Sequence, residues 1–326
     1  MLEVASIKRE EVSDKYIRHI VDQGQVDQKM YLKDYIWNMG VRCGINRDHY
    51  KIPTGLYRFG NPNENSKVIL TGNYKLTFDY LRRYLKKDYW VIIIDTDGIN
   101  VWCAAGKGRF GTAEVIRMLK AVSWPVNHNE VILPQLSGPG VQSHLVSKHT
   151  GKKVVFGPIR IEDMDDFVEC GLKGNMRTIS FNLKERLILV PNEIVASFKY
   201  IGLALIISLL PIIPFDFFWI ILIGSLIGNM LFQVVLPILP FKMFFKNGYL
   251  LSLLLIPFLK FNPLSIGMVL LGMTYTSFVA MNFTGSTTYT SLSGVNEEMK
   301  VAIPLMIKTT GFSLLLLIVG IVMEVI

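Results

Sequence analysis

Residues 67–98 read "KVILTGNYKLTFDYLRRYLKKDYWVIIIDTDG": a short apolar run that stops at Thr-Gly-Asn, a segment with apolar residues at helical spacing, and a second apolar run that stops at Asp-Thr-Asp-Gly. Apolar runs that are continuous rather than alternating are what strands buried on both faces require, and a helix between two of them is the crossover of a parallel pair. The pattern repeats. "NEVILPQLSGPG" (129–140) and "KKVVFGP" (152–158) are further strand-and-turn segments, and "GTAEVIRMLKAV" (111–122) and "GVQSHLVSKHTG" (140–151) are the helices between them. The sequence therefore predicts an α/β sheet covered on both faces, preceded by a helix whose face carries Val12, Tyr16, Ile17, Ile20 and Val21.

Ligands on such sheets bind at the carboxyl ends of the strands. Those ends carry Thr71, Gly72 and Asn73, then 95–100, then 135–140, then Gly157 and Pro158, a small, glycine-rich and mostly uncharged set. It suits a large, flat or phosphate-bearing ligand. "MRTISFNLKERLILVPNEI" (176–194) alternates before turning apolar, and is expected to add one or two strands and a link to the rest of the chain.

The remaining third of the chain is different in kind. The protein has 326 residues, of which 51% are hydrophobic, and its charges are crowded at the front. Of 34 Lys and Arg, only Lys242, Lys246, Lys260, Lys300 and Lys308 lie beyond residue 200; of 26 Asp and Glu, only Asp216, Glu297, Glu298 and Glu324 do. Apolar stretches at 196–213, 217–240, 243–259, 263–282 and 301–323 predict about five transmembrane helices, so the expected domains are 1–195 and 196–326. The third stretch is the shortest, lying between Lys246 and Lys260, and four spans with one re-entrant segment is the alternative. "MLEVASIKREEVSDKY" is charged and has no leader pattern, which keeps the first domain in the cytoplasm, and Lys242 and Lys246 on an inner turn agree with that orientation. Beyond Lys308 nothing ionisable is expected inside the spans, so the membrane part is read as an anchor and not as a pump. The Ser- and Thr-rich stretch 282–300 is expected as a loop on the cytoplasmic side.

The segment still to be explained is "GINVWCAAGKGRFG" (98–111). Gly106, Gly108 and Gly111 match the GxGxxG fingerprint of dinucleotide sites, with a helix after them, but the expected strand ends some ten residues too early for the glycines to turn out of it. A phosphate loop fails as well, because Gly108 follows Lys107 where Ser or Thr is needed. The third reading is a short helix on a glycine hinge. Cys103 and Lys107 then share a face with Ala104, Ala105 and Gly106 small around them, so something flat can approach the sulfur, a soft metal ligand. An inert buried cysteine stands equally open on chemistry alone. Cys43, Cys103 and Cys170 are too widely spaced to hold an iron–sulfur cluster or a structural zinc, and Cys43 and Cys170 are read as structural.

"NVWCAAGK" (100–107) resembles the cap-helix signature of the corrinoid protein of microbial mercury methylation, the HgcA family. "TGNYKLTFDYLR" (71–82), "GKGRFGT" (106–112), "PQLSGPGVQSHLV" (134–146), "FGPIR" (156–160) and "FTGSTTYTSLSG" (283–294) are similar to other segments of that family, so the resemblance covers most of the chain. It implies a Rossmann-like corrinoid-binding domain, related to that of the corrinoid iron–sulfur protein, ahead of an all-α transmembrane domain. It further implies that Cys103 ligates the cobalt of a cobalamin-type corrinoid from its lower face, with Asn100, Val101, Trp102, Ala104, Ala105, Gly106 and Lys107 forming the cap. Thr71, Asn73, Gln135, Ser137 and Gly138 are further corrin contacts expected from their place at strand ends. No DxHxxG motif offers a histidine in place of the cysteine.

The activity implied is transfer of a methyl group from cobalt to inorganic Hg(II), giving methylmercury. Hg(II) is an electrophile, and a thiolate opposite the methyl group donates electron density that helps it leave with its electrons, or as a radical. The resemblance also implies a ferredoxin with two [4Fe-4S] clusters as reductant, and a methyl-donor protein or methyltetrahydrofolate enzyme upstream. The basic excess ahead of residue 200 serves an acidic ferredoxin, anionic membrane lipid or a solvated surface, and no nucleic acid is expected. Two alternatives remain open: a corrinoid methyl carrier for another acceptor in one-carbon metabolism, and a nucleotide-binding module on a membrane protein. Deleting 284–293 tests whether that polar segment helps to close the corrinoid site.

Overall fold

A computed structural model describes residues 22–122 and 129–325, which form two compact units. The first holds residues up to Asn38 and Asn46–Thr178; the second holds Met39–Ile45 and Ile179–Ile326. The structural border therefore falls ahead of the one expected at residue 195. The helix expected around Val12 lies outside the described residues.

The first unit is a six-stranded sheet in the order β1-β2-β4-β3-β5-β6. β1 (Asp22–Gln25) is followed by α1 (Leu32–Arg42), β2 (Gly55–Phe59) and β3 (Val68–Gly72). Then come α2 (Lys75–Tyr84), β4 (Tyr89–Ile94), α3 (Val101–Gly106) and α4 (Thr112–Ala121). β5 (Glu130–Leu133), α5 (Ser143–Thr150), β6 (Lys153–Phe156) and α6 (Met164–Cys170) complete it. The four strands expected from the apolar runs are all present and pair in parallel, while β2 joins β4 antiparallel, so the sheet is mixed.

The continuous runs are explained by burial on both faces. Trp90, Ile92 and Ile94 of β4 pack with Val101, Ala104, Val115 and Val146 on one side, and Val91 and Ile93 pack with Phe78, Leu81 and Met164 on the other. Each such side chain contributes about 2 kcal/mol by leaving water. From β3 the chain steps to β4 on one side and then to β5 on the other, so the strand order reverses at β3, the point where open α/β sheets leave a crevice.

The second unit is helical. No strand forms in 176–194; instead α7 (Leu183–Leu187) and α8 (Val190–Ser208) run on as a candidate membrane span, Leu183–Ser208. The alternation that suggested strands is the entry to a helix. Asn182 accepts from the Glu185 N–H and the Glu185 carboxylate accepts from the Asn182 N–H, a reciprocal cap. α9 (Asp216–Leu226) continues through a π-turn at Ile227–Leu231 into α10 (Phe232–Val235). α11 (Phe244–Ser252), α12 (Pro263–Met281) and α13 (Leu292–Val325) come after it.

Among the described residues four helices are long and apolar enough to cross a membrane, one fewer than the five stretches expected; Phe244–Phe258 is the shorter one. It nevertheless runs the length of α12. Ser277 Oγ donates to Phe245 O at 2.7 Å, Tyr249 and Thr274 hydroxyls meet at 3.4 Å, and Ser265 Oγ donates to Phe258 O at 3.0 Å. Its last two turns, Leu253–Phe258, are a 3-10 helix. That stretches the segment to roughly 25 Å against a hydrocarbon core of about 30 Å. The close approach depends on Gly248, where a Cβ would fall 2.6 Å from Ser277 Cα.

Two further expectations change in the second unit. Stretch 282–300 is not all loop, since α13 has begun by Leu292. Nor is Lys308 alone: Glu298, in the last candidate span, is 2% exposed and accepts from the Phe245 N–H at 2.7 Å and Thr284 Oγ1 at 3.0 Å.

Candidate functional site

A cleft of about 290 Å³ lies at the carboxyl ends of the parallel strands. Ile69 and Thr71 of β3 form its floor, Thr77, Tyr80 and Leu81 of α2 one wall, and Asn100, Val101 and Trp102 another. Pro134 and Leu136 after β5, and Pro158 and Ile159 after β6, complete the rim. It sits at the place where the strand order reverses.

The segment 98–111 is folded by its own residues. Asn100 caps α3, its Oδ1 accepting from the Cys103 N–H at 2.9 Å. Val101, Ala104 and Ala105 are buried in the sheet's core, which turns Trp102 outward, 46% exposed, and leaves Cys103 partly exposed, with Gly106 and Lys107 exposed. Small residues at 104 and 105 let the loop after β5 press onto the helix: a Cβ at Gly140 would fall 2.3 Å from Phe110 O and 3.1 Å from Ala105 Cα. The dinucleotide reading of the glycines is not supported by this geometry. β4 ends at Ile94, Gly106 closes α3, Gly108 has a φ of +73° in the turn after it, and Gly111 precedes α4.

The expected corrin contacts divide. Thr71, Asn100, Val101 and Trp102 line the cleft, whereas Cys103, Ala104, Ala105, Gly106 and Lys107 do not, although the same short helix carries them. Asn73 is held elsewhere. Its Oδ1 accepts from the Thr96 N–H, Thr96 Oγ1 and the Gly98 N–H, each at 3.0 Å, and its Nδ2 donates to Asp95 Oδ1 at 2.9 Å. That amide builds the turn after β4 and is not free for a ligand. Ser137 is fully buried and donates to Pro134 O at 2.7 Å, a tie within its own loop, and Gly138 belongs to the same turn.

Two buried oxygens in this region have no partner among the described residues: Thr71 Oγ1 in the cleft floor and Oε1 of Gln135, between the rim residues Pro134 and Leu136. A buried hydroxyl or amide left alone is expensive unless something else completes it. The site thus offers apolar walls, an exposed indole and hydrogen-bonding groups in need of a partner, which fits a large, flat molecule with a polar edge. Among the described residues no group of three or more His, Cys, Asp or Glu side chains could hold a metal ion, and Cys43, Cys103 and Cys170 are all free thiols.

The α2 wall was missed in the sequence. Thr77 and Tyr80 lie on a helix whose spacing announces only a core-facing stripe, and their use as a wall depends on where that helix lands.

Residues 38–168 match the family of the CO dehydrogenase/acetyl-CoA synthase delta subunit. Similar curated proteins are acetyl-CoA decarbonylase/synthase complex gamma subunits. That of Methanocaldococcus jannaschii is 27% identical over 188 residues, 56% of this chain and 36% of the relative. That of Methanopyrus kandleri is 29% identical over 128 residues, 38% and 27% of the two chains. The gamma 2 subunit of Methanosarcina thermophila is 32% identical over 115 residues, 33% and 24%. The chain thus spans little more than a third of the length of these relatives at most. The matched residues 38–168 contain every wall of the cleft and all of α3.

Proposed function

We propose that the protein is a membrane-anchored, corrinoid-dependent methyltransferase whose first unit holds a cobalamin-type corrinoid at the strand-end cleft and passes a methyl group to inorganic Hg(II). The observation that carries this reading is α3. The resemblance to the cap helix of the HgcA family falls on a segment that folds as a capped helix of its own at the mouth of the cleft, within the residues that match the CO dehydrogenase/acetyl-CoA synthase delta subunit family.

When bound, a corrinoid supplies a cobalt centre that takes up a methyl group and releases it to an electrophile. The chain's residues have distinct tasks. Cys103 would hold the cobalt through its sulfur, a soft donor on a helix whose other side is fixed by Val101, Ala104 and Ala105 in the core. The Asn100 cap sets the helix start, and so the position of Cys103. Trp102 offers an aromatic face to a flat ring, Thr71 and Gln135 offer unpaired hydrogen-bonding groups to its polar edge, and the apolar walls exclude water.

The second unit would anchor the protein in the cytoplasmic membrane with the first unit in the cytoplasm, where a ferredoxin with two [4Fe-4S] clusters would serve as reductant and a methyl-donor protein or a methyltetrahydrofolate enzyme as methyl source. The curated relatives favour a second reading of the acceptor, in which the same carrier serves another step of one-carbon metabolism.

The test is the visible spectrum of the full chain, purified in detergent and reconstituted with cobalamin, for wild type, Cys103→Ala and Cys103→His. A cobalt(III) spectrum shifted only when Cys103 is present supports ligation by its sulfur; no corrinoid uptake, or spectra indifferent to residue 103, overturns the reading. Methyl transfer from the loaded protein to Hg(II) then separates the two acceptors. We expect the Cys103→Ala rate to fall at least about a hundredfold, as loss of a donor that acts in the transition state implies.

A further inference from the structure

Helix α1 is built with its polar side inward. Asp34, 9% exposed, accepts from the Tyr31 N–H at 3.0 Å and lies 3.4 Å from the Arg82 guanidinium and 4.0 Å from the Lys75 ammonium. Asn38, one turn on, accepts from the Tyr50 hydroxyl at 2.9 Å, and Val41 completes the covered face at 1% exposure. The opposite face carries Leu32, Tyr35, Ile36 and Met39 at i, i+3, i+4 and i+7, exposed by 75%, 46%, 62% and 56%. That spacing is the apolar stripe of an amphipathic helix, here turned away from the protein. Exposed apolar area gathered in one stripe marks a contact surface, where single exposed apolar residues do not.

What covers the stripe is indicated by its surroundings. Lys29 and Lys33 both stand 5.5 Å from the Tyr31 ring at the start of the helix, and Trp37 is 56% exposed beside it. Cations and Tyr or Trp rings flanking an apolar stripe are the composition of a helix lying at a lipid headgroup boundary, with the cations matching anionic lipid. The stripe also runs into the second unit, which includes Met39–Ile45. There Met39 and Arg42 line a groove of about 650 Å³ with Leu183, Leu187, Ile188 and Pro191, the opening residues of the first candidate span.

We infer that α1 is a second membrane attachment, an interfacial helix that places Leu32, Tyr35, Ile36 and Met39 among lipid acyl chains. The inference rests on the membrane-anchor part of the proposed function and is independent of the corrinoid. It adds a lipid-binding surface on an element whose other face is held by the buried charges around Asp34.

The experiment uses the full chain in vesicles of phosphatidylethanolamine and anionic phosphatidylglycerol, with Cys43, Cys103 and Cys170 replaced by Ser and a nitroxide label at one introduced cysteine. Ile36→Cys reports on the stripe, Ile318→Cys on the last candidate span, and Lys120→Cys on the exposed surface of α4; all three side chains face outward, so the label does not disturb the core. Collision rates with oxygen, which concentrates in lipid, are compared with those of a water-soluble nickel chelate. We expect the oxygen-to-nickel ratio at position 36 to exceed that at position 120 several-fold and to approach that at position 318. A ratio at 36 equal to that at 120 puts the stripe in water and overturns the inference. Low collision with both reagents shows a protein covering it and overturns it equally. If position 318 itself collides freely with nickel, the anchor reading fails, and the α1 inference falls with it for a reason the data identify.

Discussion

Two sets of buried polar side chains in the α/β unit are treated in opposite ways. In one set the groups are paired: the Asn73 amide joins Asp95, Thr96 and Gly98, and Asp79 of α2, 2% exposed, accepts from Lys75 at 2.6 Å and Arg82 at 2.9 Å. The Tyr50 hydroxyl, 3.5 Å from Asp79, is held protonated well above the usual phenol range, first by burial and then by that carboxylate. At the cleft the opposite holds. Thr71 precedes Asn73 by two positions at the same strand end, is equally buried, and has no partner for its hydroxyl among the described residues. A saturated cluster holds the backbone in place, and an unsaturated one adjoining a cavity is the signature of a group that binds something else. Near neighbours at one strand end thus have different work.

If that contrast is real, similar substitutions at the two places must have opposite consequences. Asn73→Ala removes the acceptor of two buried backbone N–H groups, those of Thr96 and Gly98, and we expect it to destabilise the fold by about 3 kcal/mol. Thermal or denaturant unfolding of the full chain checks this. A stable variant with lost corrinoid binding would place Asn73 in the site after all. Gly140→Ala tests the packing of α3: its Cβ has no room against Phe110 O and Ala105 Cα, and overpacking of this kind costs about 2 kcal/mol. Because the loop must move off α3, corrinoid uptake is expected to fall together with the unfolding midpoint.

Thr71→Val makes the reverse case. It keeps the shape and deletes an unpaired hydroxyl, so stability is expected to hold or rise by about 1 kcal/mol, while affinity for cobalamin falls about tenfold. Titration of the apoprotein with cobalamin, beside its unfolding curve, separates the two effects. A Thr71→Val protein that is less stable and binds normally would mean that the hydroxyl already has a partner and that the contrast with Asn73 is false.

The same physics decides which parts of the molecule were legible in the sequence. The apolar runs of β3 and β4 are continuous because both faces of each are buried, those of β5 and β6 stand out as branched apolar residues ahead of turn-formers, and the helices between them carry clear stripes. β1, "DQGQ", has no apolar signal at all, and the run of β2, "GLYRF", is interrupted by an arginine, so neither strand announced itself. The strands expected in 176–194 do not form because the reciprocal cap of Asn182 and Glu185 starts a helix there and overrides the local alternation. At the site, α3 was legible because Asn, two alanines and glycines each have one strong reason to be there. The α2 wall and the orphaned Thr71 hydroxyl were not, since both arise from elements meeting in space.

The smallest expected effect lies at the other end of the sheet and serves as the reference for the rest. Glu130 opens β5 and is clipped between Lys153, at 2.9 Å, and Lys67, at 3.1 Å, across the starts of three neighbouring strands. Hydrogen bonds from Lys153 and then Lys67 hold its carboxyl down, from an ordinary 4.5 to about 2. A carboxyl depressed in the folded state adds stability that is fully present above its ordinary value and is lost as pH falls through about 2, because the unfolded chain takes up the proton first. Wild-type stability should therefore decline between about pH 4.5 and about pH 2 by an amount that Glu130→Gln lacks, and a series of denaturant midpoints across that window reads the difference. The pair is a third exposed on each side, so the effect is small, and it lies away from the cleft. Corrinoid affinity should not change in Glu130→Gln. A variant that loses affinity without losing its fold would show that the two ends of the strands are coupled, and would remove the distinction between scaffold and site on which the other substitutions are read.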